Sequence, residues 1–339
     1  MEVVIDKNET FEPVGRYERV ECRGSAKIKG SLEATEVVCK GRLEAEELHA
    51  VKVKAKGLKC GIIEVDELIT DFLDAGTVEV KRAHIRGPMR VSSSVKAGEL
   101  KVEGSLSCAS FEAEKAKISG SFRAMRANVK HLEVRGSIEV DEGSIEYALV
   151  GGSAKLGSCK ITSLRVGGTL RVGGSTDIGE AEAGMAEVVG HLTGGQLKVN
   201  EVLKVEGEIR VRILEVGGAL KVSGSIFAEE AHVAGKGKGK LAGGRIMVVG
   251  EATEVEGEEI ELINARVSRV TGGRVRVRDS SVGTISAVEV EVMGRSKVSQ
   301  ITAERVYVSG GTVDKVYYTD KLLVSPEAQV RLEKRVAGL

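Results

Sequence analysis

Five histidines could form a metal site, because three converging imidazoles can hold a catalytic zinc ion. They are His49, His84, His131, His191 and His232. Each flanks a pair of apolar residues, and the five are spread widely along the chain. Convergence of three from one chain is therefore not expected. We predict no metal site and place all five histidines on solvated faces or corners.

Adjacent carboxylates are a second candidate, because clustered acids in a groove can cleave glycosidic bonds. The pairs are Glu46/Glu47, Glu229/Glu230 and Glu258/Glu259. The chain has almost no long loops that could wall such a groove, and it contains no GxSxG or HExxH sequence. We expect these carboxylates to be solvated corner charges, and we predict no catalytic residue.

The segment 235–244 alternates glycine with lysine, which predicts an irregular loop. Glycine N–H groups together with Lys236, Lys238 and Lys240 could cradle an anion. No GK[ST] sequence follows, so the segment is not a phosphate-binding P-loop. We favour a flexible loop that bulges from a corner.

The five cysteines are spaced without any CxxC pattern, so they do not indicate a zinc site. Cys22, Cys39, Cys60, Cys108 and Cys159 each occupy one position of an apolar pair. We expect them to be small buried hydrophobic residues. Free thiols fit a reducing compartment, so we predict a cytoplasmic protein.

The sequence repeats with a period of 16 residues. Glycines at this fixed spacing mark the repeat: Gly104, Gly120, Gly136, Gly152 and Gly168. Between glycines, apolar residues recur at i and i+2, and a step of five or six separates one pair from the next. After Gly120 the pairs are Phe122/Ala124, Ala127/Val129 and Leu132/Val134. This spacing scatters around a helical wheel but lies on one face of a strand. Three short strands and three corners therefore make one coil of an all-β solenoid, a three-sided parallel β-helix.

The repeat predicts a single long β-helix over 17–324, and roughly 300 residues at 16 to 17 per turn give about 18 coils. Residues 1–16 are predicted to form an N-terminal tail or cap. Residues 325–339 are predicted to cap the other end, because Ser325 and Pro326 are typical of the first positions of a short helix. An extended tail is the alternative for this segment. The solenoid requires Phe122, Ile145 and Leu164 to be buried.

Composition narrows the choice of partners. Lys plus Arg and Asp plus Glu both number 50, so net charge does not favour nucleic acid and permits self-association. Aromatic residues are only 3% of the chain, which disfavours stacking platforms for sugars or bases. No stretch is apolar enough for a transmembrane segment, although peripheral membrane contact stays open. Scarce Asn and Gln with abundant charged residues is a bias typical of thermophilic proteins.

Short phrases in the repeat resemble the bactofilins, a family of polymer-forming cytoskeletal proteins. The phrases are Gly104-Ser-Leu, Gly120-Ser-Phe, Gly136-Ser-Ile, Gly168-Thr-Leu and Gly224-Ser-Ile, each followed by paired apolar residues. The resemblance covers about Val20 to Val324. It implies a right-handed, three-sided β-helix that assembles into filaments through its ends without a nucleotide. This chain has more coils than bactofilins usually have.

We therefore predict a non-enzymatic, bactofilin-like structural protein without cofactors that stacks its terminal coils on further copies of itself. Other proteins are possible additional partners. The candidate end residues are Val20, Cys22, Ala26 and Ile28 on one side, and Val313, Val316, Tyr318, Leu322 and Val324 on the other. Two alternatives stay open: a non-polymerising rod that binds protein partners on its faces, and a β-helix enzyme acting on a sugar or anionic substrate.

Overall fold

The chain is an all-β parallel solenoid, which confirms the predicted fold class, and it has about 21 turns. The computed structural model describes residues 1–336, with only the backbone described for residues 236–238, and the described part contains no helix. The strands are β1 (Glu2–Ile5), β2 (Glu9–Phe11), β3 (Arg16–Cys22), β4 (Ala26–Ile28), β5 (Ser31–Ile85), β6 (Met89–Val91), β7 (Ser94–Val102), β8 (Leu106–Ile118), β9 (Phe122–Val134), β10 (Ile138–Val150), β11 (Ala154–Val172), β12 (Ser175–Val188), β13 (His191–Val205), β14 (Glu208–Val216), β15 (Ala219–Val222), β16 (Ser225–Lys238), β17 (Lys240–Ile263), β18 (Arg266–Arg278), β19 (Ser281–Met293), β20 (Lys297–Val308), β21 (Thr312–Val324) and β22 (Gln329–Arg335).

The chain divides into two compact units, Met1–Gly168 and Thr169–Leu339. In the first unit the predicted period appears directly as strand register, because Phe122 pairs with Leu106 on one side and with Ile138 on the other. Coil length varies in both units: the first also contains a step of 17, from Glu2 to Arg19, and the second contains steps of 17 and 15. His191 pairs with Glu208, a step of 17, whereas Glu251 pairs with Arg266, a step of 15. Shorter coils, together with coils at both termini, explain why the turns outnumber the predicted 18.

Most of the predicted apolar pairs are buried. Phe122, Ile145 and Leu164 are each 1% exposed, which confirms the condition set by the sequence. Phe122 packs edge-on against Phe111 of the preceding coil, with 5.0 Å between ring centroids. The three inward pairs per coil are what make the solenoid three-sided. Its right-handed sense stays a prediction.

Gly143 interrupts the apolar pattern for a backbone reason. Its φ is 147°, in the region that side chains rarely adopt. A Cβ at this position would collide with the carbonyl oxygen of Ala127 in the coil below. The inward position therefore holds glycine because the coils approach one another too closely there for a side chain.

The predictions for the irregular segments need correction. Residues 235–244 are not a loop: β16 continues to Lys238 and β17 resumes at Lys240, with a break only at Gly239, whose φ is 121°. Gly235 still pairs in register with Gly250. Glycine and lysine read as a loop in isolation, but the neighbouring coils supply ladder partners that keep the segment extended.

Both termini form strands as well. Residues 1–16 act as a cap rather than a tail, since β1 pairs with β3 and β2 pairs with β4. At the other terminus the short helix is wrong and the extended alternative is confirmed, because Gln329–Arg335 forms β22 and pairs with β21. A helix there would leave the outer edge of β21 unpaired, whereas the strand satisfies it. Residues 337–339 of the predicted cap lie outside the described residues.

Candidate functional site

The predicted end residues near the N-terminus lie one coil inside the edge. Ile5 pairs with Cys22 and Phe11 pairs with Ile28, so the first coil covers them. Val20 and Ala26 are covered in the same way and are buried. None of the four therefore lies at the outer edge, because residues 1–16 add one more coil beyond them.

The surface that takes their place is the outer edge of β1 and β2, here called the N-terminal edge. Within the described residues, neither strand has a register partner on this side. Its exposed residues include Val4, 52% exposed, and Val14 in the following turn, 81% exposed. Phe11 stacks edge-on with Tyr17 at 5.7 Å and closes the apolar interior from below. An unpaired, partly apolar strand edge is suited to pairing with another chain.

The N-terminal edge is acidic. Glu2, Asp6, Glu9 and Glu12 oppose a single cation, Lys7. Asp6 forms an ion pair with Arg23 at 3.3 Å, and Glu12 forms one with Lys29 of the next coil at 2.8 Å. The hydrogen bond from Lys29 lowers the pKa of Glu12. Glu9 Oε2 accepts a 2.9 Å hydrogen bond from the Asp6 backbone N–H, which orders the turn between β1 and β2.

The predicted residues at the other end are partly covered. β22 stacks on β21, so Val313 and Val316 are fully buried and Tyr318 is half-buried. Leu322 is half-buried, and Val324 is 40% exposed beside Leu323 at 49%. Only the last stretch of β21 therefore remains available as predicted. Together with β22 it forms what is here called the C-terminal edge.

The C-terminal edge is basic, and charged residues stand at inward register positions of its last strand. Glu333 and Arg335 occupy the register positions that Val316 and Tyr318 hold in the coil below. Arg335 Nε donates a 3.0 Å hydrogen bond to the Thr319 carbonyl oxygen. Arg331, Lys334 and Arg335 outnumber the single acid Glu333 along β22. Charged residues in inward positions disfavour strand pairing with any edge that does not match their charge.

The histidines take the outward positions that the sequence predicted. His49 Nδ1 lies 3.0 Å from Glu64, His84 Nε2 lies 2.9 Å from Glu103, and His191 Nδ1 lies 3.6 Å from Glu208. The described residues contain no cluster of three or more His, Cys, Asp or Glu side chains that could hold a metal ion.

Five carboxyl groups among the described residues have a lowered pKa. Lys101 and then His84 lower the pKa of Glu103 to about 2. Of the predicted acidic pairs, Glu230 and Glu259 both face Arg245, at 3.9 and 3.2 Å. A general acid for glycoside cleavage needs a raised pKa, and every carboxyl pKa that shifts among the described residues is lowered.

Binding of an anion by residues 235–244, which the sequence left as the less favoured possibility, has little support at Lys240. Lys240 Nζ lies 2.5 Å from Glu256. This ion pair raises the pKa of Lys240 and already neutralises its charge. The side chains of Lys236 and Lys238 lie outside the described residues. A groove of about 920 Å³ elsewhere, on the first unit, is likewise lined by paired charges, such as Lys96 with Glu79 at 3.1 Å and Lys130 with Glu114 at 3.0 Å.

One feature that the sequence analysis missed is a pair of oppositely charged coils. Glutamates in β17 pair in register with arginines in β18: Glu251 with Arg266, Glu254 with Arg269, Glu259 with Arg274 and Glu261 with Arg276. The first two pairs approach to 3.9 Å. Arg274 and Arg276 each also reach a glutamate of β19, both at 3.4 Å. The sequence already contains this signal, because each of these glutamates is followed by an arginine 15 residues later.

No family model, curated protein or solved structure matches this chain. Among residues 1–336 no helix has the length and apolar character that crossing a bilayer requires. The fold and its two edges are therefore the basis for any functional argument.

Proposed function

We propose that this chain is a non-catalytic structural protein that assembles head to tail, with the N-terminal edge of one copy stacked on the C-terminal edge of another. The observation that carries the proposal is the opposite charge of two strand edges that have no partner within residues 1–336. Glu2 and Glu9 belong to the acidic edge, and Arg331 and Lys334 belong to the basic one. Complementary charge selects unlike ends and disfavours contact between like ends.

Backbone pairing and apolar burial would supply most of the free energy of contact. Each edge presents strand N–H and C=O groups that another copy can satisfy. Val4 and Val14 on one edge, and Leu323 and Leu332 on the other, are each between 48% and 81% exposed. Val4 and Leu332 alternate with inward residues along their strands, so stacking would cover only part of each side chain and yield less than the about 1.5–3 kcal/mol of full burial.

The chain contains a precedent for such a junction. The coil formed by β17 carries glutamates, and β18 places arginines directly on them in register. Charged coils of opposite sign therefore stack within this fold, and a junction between copies would repeat that arrangement. The contact joins unlike surfaces, and when it is repeated along the solenoid axis it generates an open filament rather than a ring. Assembly of this kind agrees with the resemblance of the repeat phrases to bactofilins.

Charge reversal at the edges tests the proposal. A Glu2→Lys/Glu9→Lys variant has two basic edges, and an Arg331→Glu/Lys334→Glu variant has two acidic ones. Each variant alone is expected to stay monomeric in sedimentation velocity and in electron micrographs at about 0.05 M salt, where charges are weakly screened. An equimolar mixture is expected to assemble, because each basic edge then meets an acidic one.

The matched control is Glu146→Lys, which reverses an exposed charge in the middle of β10, away from both edges. This variant should assemble as the parent chain does. Two results would overturn the proposal: a parent chain that remains monomeric at low salt and high concentration, or edge-reversed variants that assemble as well alone as when mixed.

A further inference from the structure

Two of the five buried cysteines are neighbours in the solenoid. Cys22 on β3 and Cys39 on β5 are register partners in adjacent coils. Both face the interior, with 0% and 3% of their surface exposed. In contrast, Cys108 pairs with Ala124 and Cys159 pairs with Gly143. The Cys22–Cys39 pair therefore differs from these other thiols in having a second thiol beside it.

The geometry of a parallel ladder brings such a pair within bonding range. Register partners on neighbouring strands lie about 4.8 Å apart. That spacing falls inside the range of about 4.4–6.8 Å between Cα atoms that a disulfide spans. Both side chains point into the interior from these register positions, so the two thiols lie side by side. Side chains stacked in parallel give a less than ideal disulfide, and strained disulfides are the more readily reduced ones.

The two sulfurs are chemically unequal. The hydrogen bond from Cys22 lowers the pKa of Cys39 to about 7, and the Gly41 backbone N–H adds to that effect. The same contact raises the pKa of Cys22. As a neutral thiol, Cys39 donates instead to the Gly24 carbonyl oxygen at 3.2 Å, a hydrogen bond that is lost on ionisation. Cys39 is thus the better nucleophile of the pair, and Cys22 stays protonated beside it.

We propose that Cys22 and Cys39 form a reversible oxidation site, at which a peroxide converts the two thiols to an intrachain disulfide. The Cys39 thiolate attacks one peroxide oxygen, the O–O bond breaks, and the departing hydroxide takes up a proton to leave as water. The sulfur of Cys22 then attacks the resulting sulfenic acid, the S–O bond breaks, and a second water leaves with the Cys22 proton. Two thiols and one hydrogen peroxide yield one disulfide and two waters.

Access to the pair is controlled by the first coil. Cys22 is covered by Ile5, which belongs to the four-residue strand β1. Terminal elements with few contacts open at low free-energy cost, so peroxide can enter when β1 detaches. Once formed, the disulfide joins β3 to β5 covalently and fixes two coils beside the N-terminal edge.

The test uses the full-length chain treated with hydrogen peroxide, then denatured and alkylated with iodoacetamide. Three of the five thiols are expected to take up the label after oxidation, and all five after subsequent reduction. Trypsin should release one disulfide-linked species joining the peptides Val20–Arg23 and Gly30–Lys40. In a Cys22→Ala variant, the sulfenic acid on Cys39 has no partner and should be trapped by dimedone.

Cys108→Ala is the matched control, since it removes a buried thiol whose ladder partner is alanine. This variant should still lose two labelled thiols on oxidation, whereas Cys39→Ala should lose none. Circular dichroism establishes that each variant keeps its strand content. The proposal is overturned if all five thiols of the parent chain remain alkylatable, or if the linked peptides contain other cysteines. It is also overturned if Cys39 proceeds to sulfinic acid at the same rate with or without Cys22.

Discussion

Truncating Phe122 to alanine should be among the most destabilising single changes in the first unit. The ring is 1% exposed, packs on Phe111 at 5.0 Å, and is flanked in register by Leu106 and Ile138. Its neighbours are held by ladders above and below, so they cannot collapse into the space that is left. Removing a buried phenylalanine side chain costs about 3–5 kcal/mol, from lost transfer free energy and the remaining cavity.

Arg123 provides the comparison, because it is the next residue along the same strand and points outward. Its guanidinium pairs with Glu139, and its side chain is 74% exposed. Exposed ion pairs contribute at most about 1 kcal/mol, so Arg123→Ala should cost far less than Phe122→Ala. The two variants differ in whether the lost side chain lies inside or outside the coil.

The assay is urea unfolding followed by circular dichroism, together with hydrogen exchange of β8, β9 and β10. Coils of a solenoid contact only their neighbours, so increased exchange should be concentrated in these three strands. The reasoning is refuted if the two variants have the same unfolding midpoint, or if the added exchange in Phe122→Ala is spread evenly over the unit.

Two further predictions concern the backbone and pH. Gly143→Ala should lower the urea midpoint although it adds only a methyl group, because φ is 147° and the Ala127 carbonyl fills the space; an unchanged midpoint would show that the coils can separate there at little cost. For Glu103, the pKa is lowered to about 2 in the folded chain, so its stabilising effect is present above the unfolded pKa and is lost as pH falls from about 5 toward 2. The parent chain should therefore lose more stability than Glu103→Gln between pH 7 and pH 3 in urea unfolding, and equal losses would contradict this role.

The sequence was sufficient to predict the strand period, because inward pairs such as Phe122/Ala124 repeat wherever two coils stack. Prediction from the sequence failed where the local composition indicates one structure and the neighbouring strands impose another. Residues 235–244 have the composition of a loop, yet strands on both sides hold them extended. The last strand was expected to be a short helix because Ser325 and Pro326 are typical helix-start residues, and Glu333 and Arg335 in inward register positions hid the strand pattern.

The candidate sites were harder to predict than the fold. Val20 and Cys22 were expected at an edge, but the short strand β1 covers them, and four residues are too few to show a period. The Cys22–Cys39 contact follows from a step of 17 residues between two cysteines in equivalent positions. Sequence spacing alone shows equivalence of position, whereas the contact depends on the exact length of the intervening coil.

The glutamate-bearing β17 and arginine-bearing β18 have a consequence for how the chain reaches its native arrangement. Coils with similar valine, isoleucine and leucine interiors are nearly interchangeable, so a growing stack could skip a turn and still bury its hydrocarbon. A coil carrying Glu259 and Glu261 would be repelled by another of the same sign and attracted to the one carrying Arg274 and Arg276. These charged residues therefore disfavour a misfolded stack that omits one turn. Apolar side chains alone would not distinguish that stack from the native one.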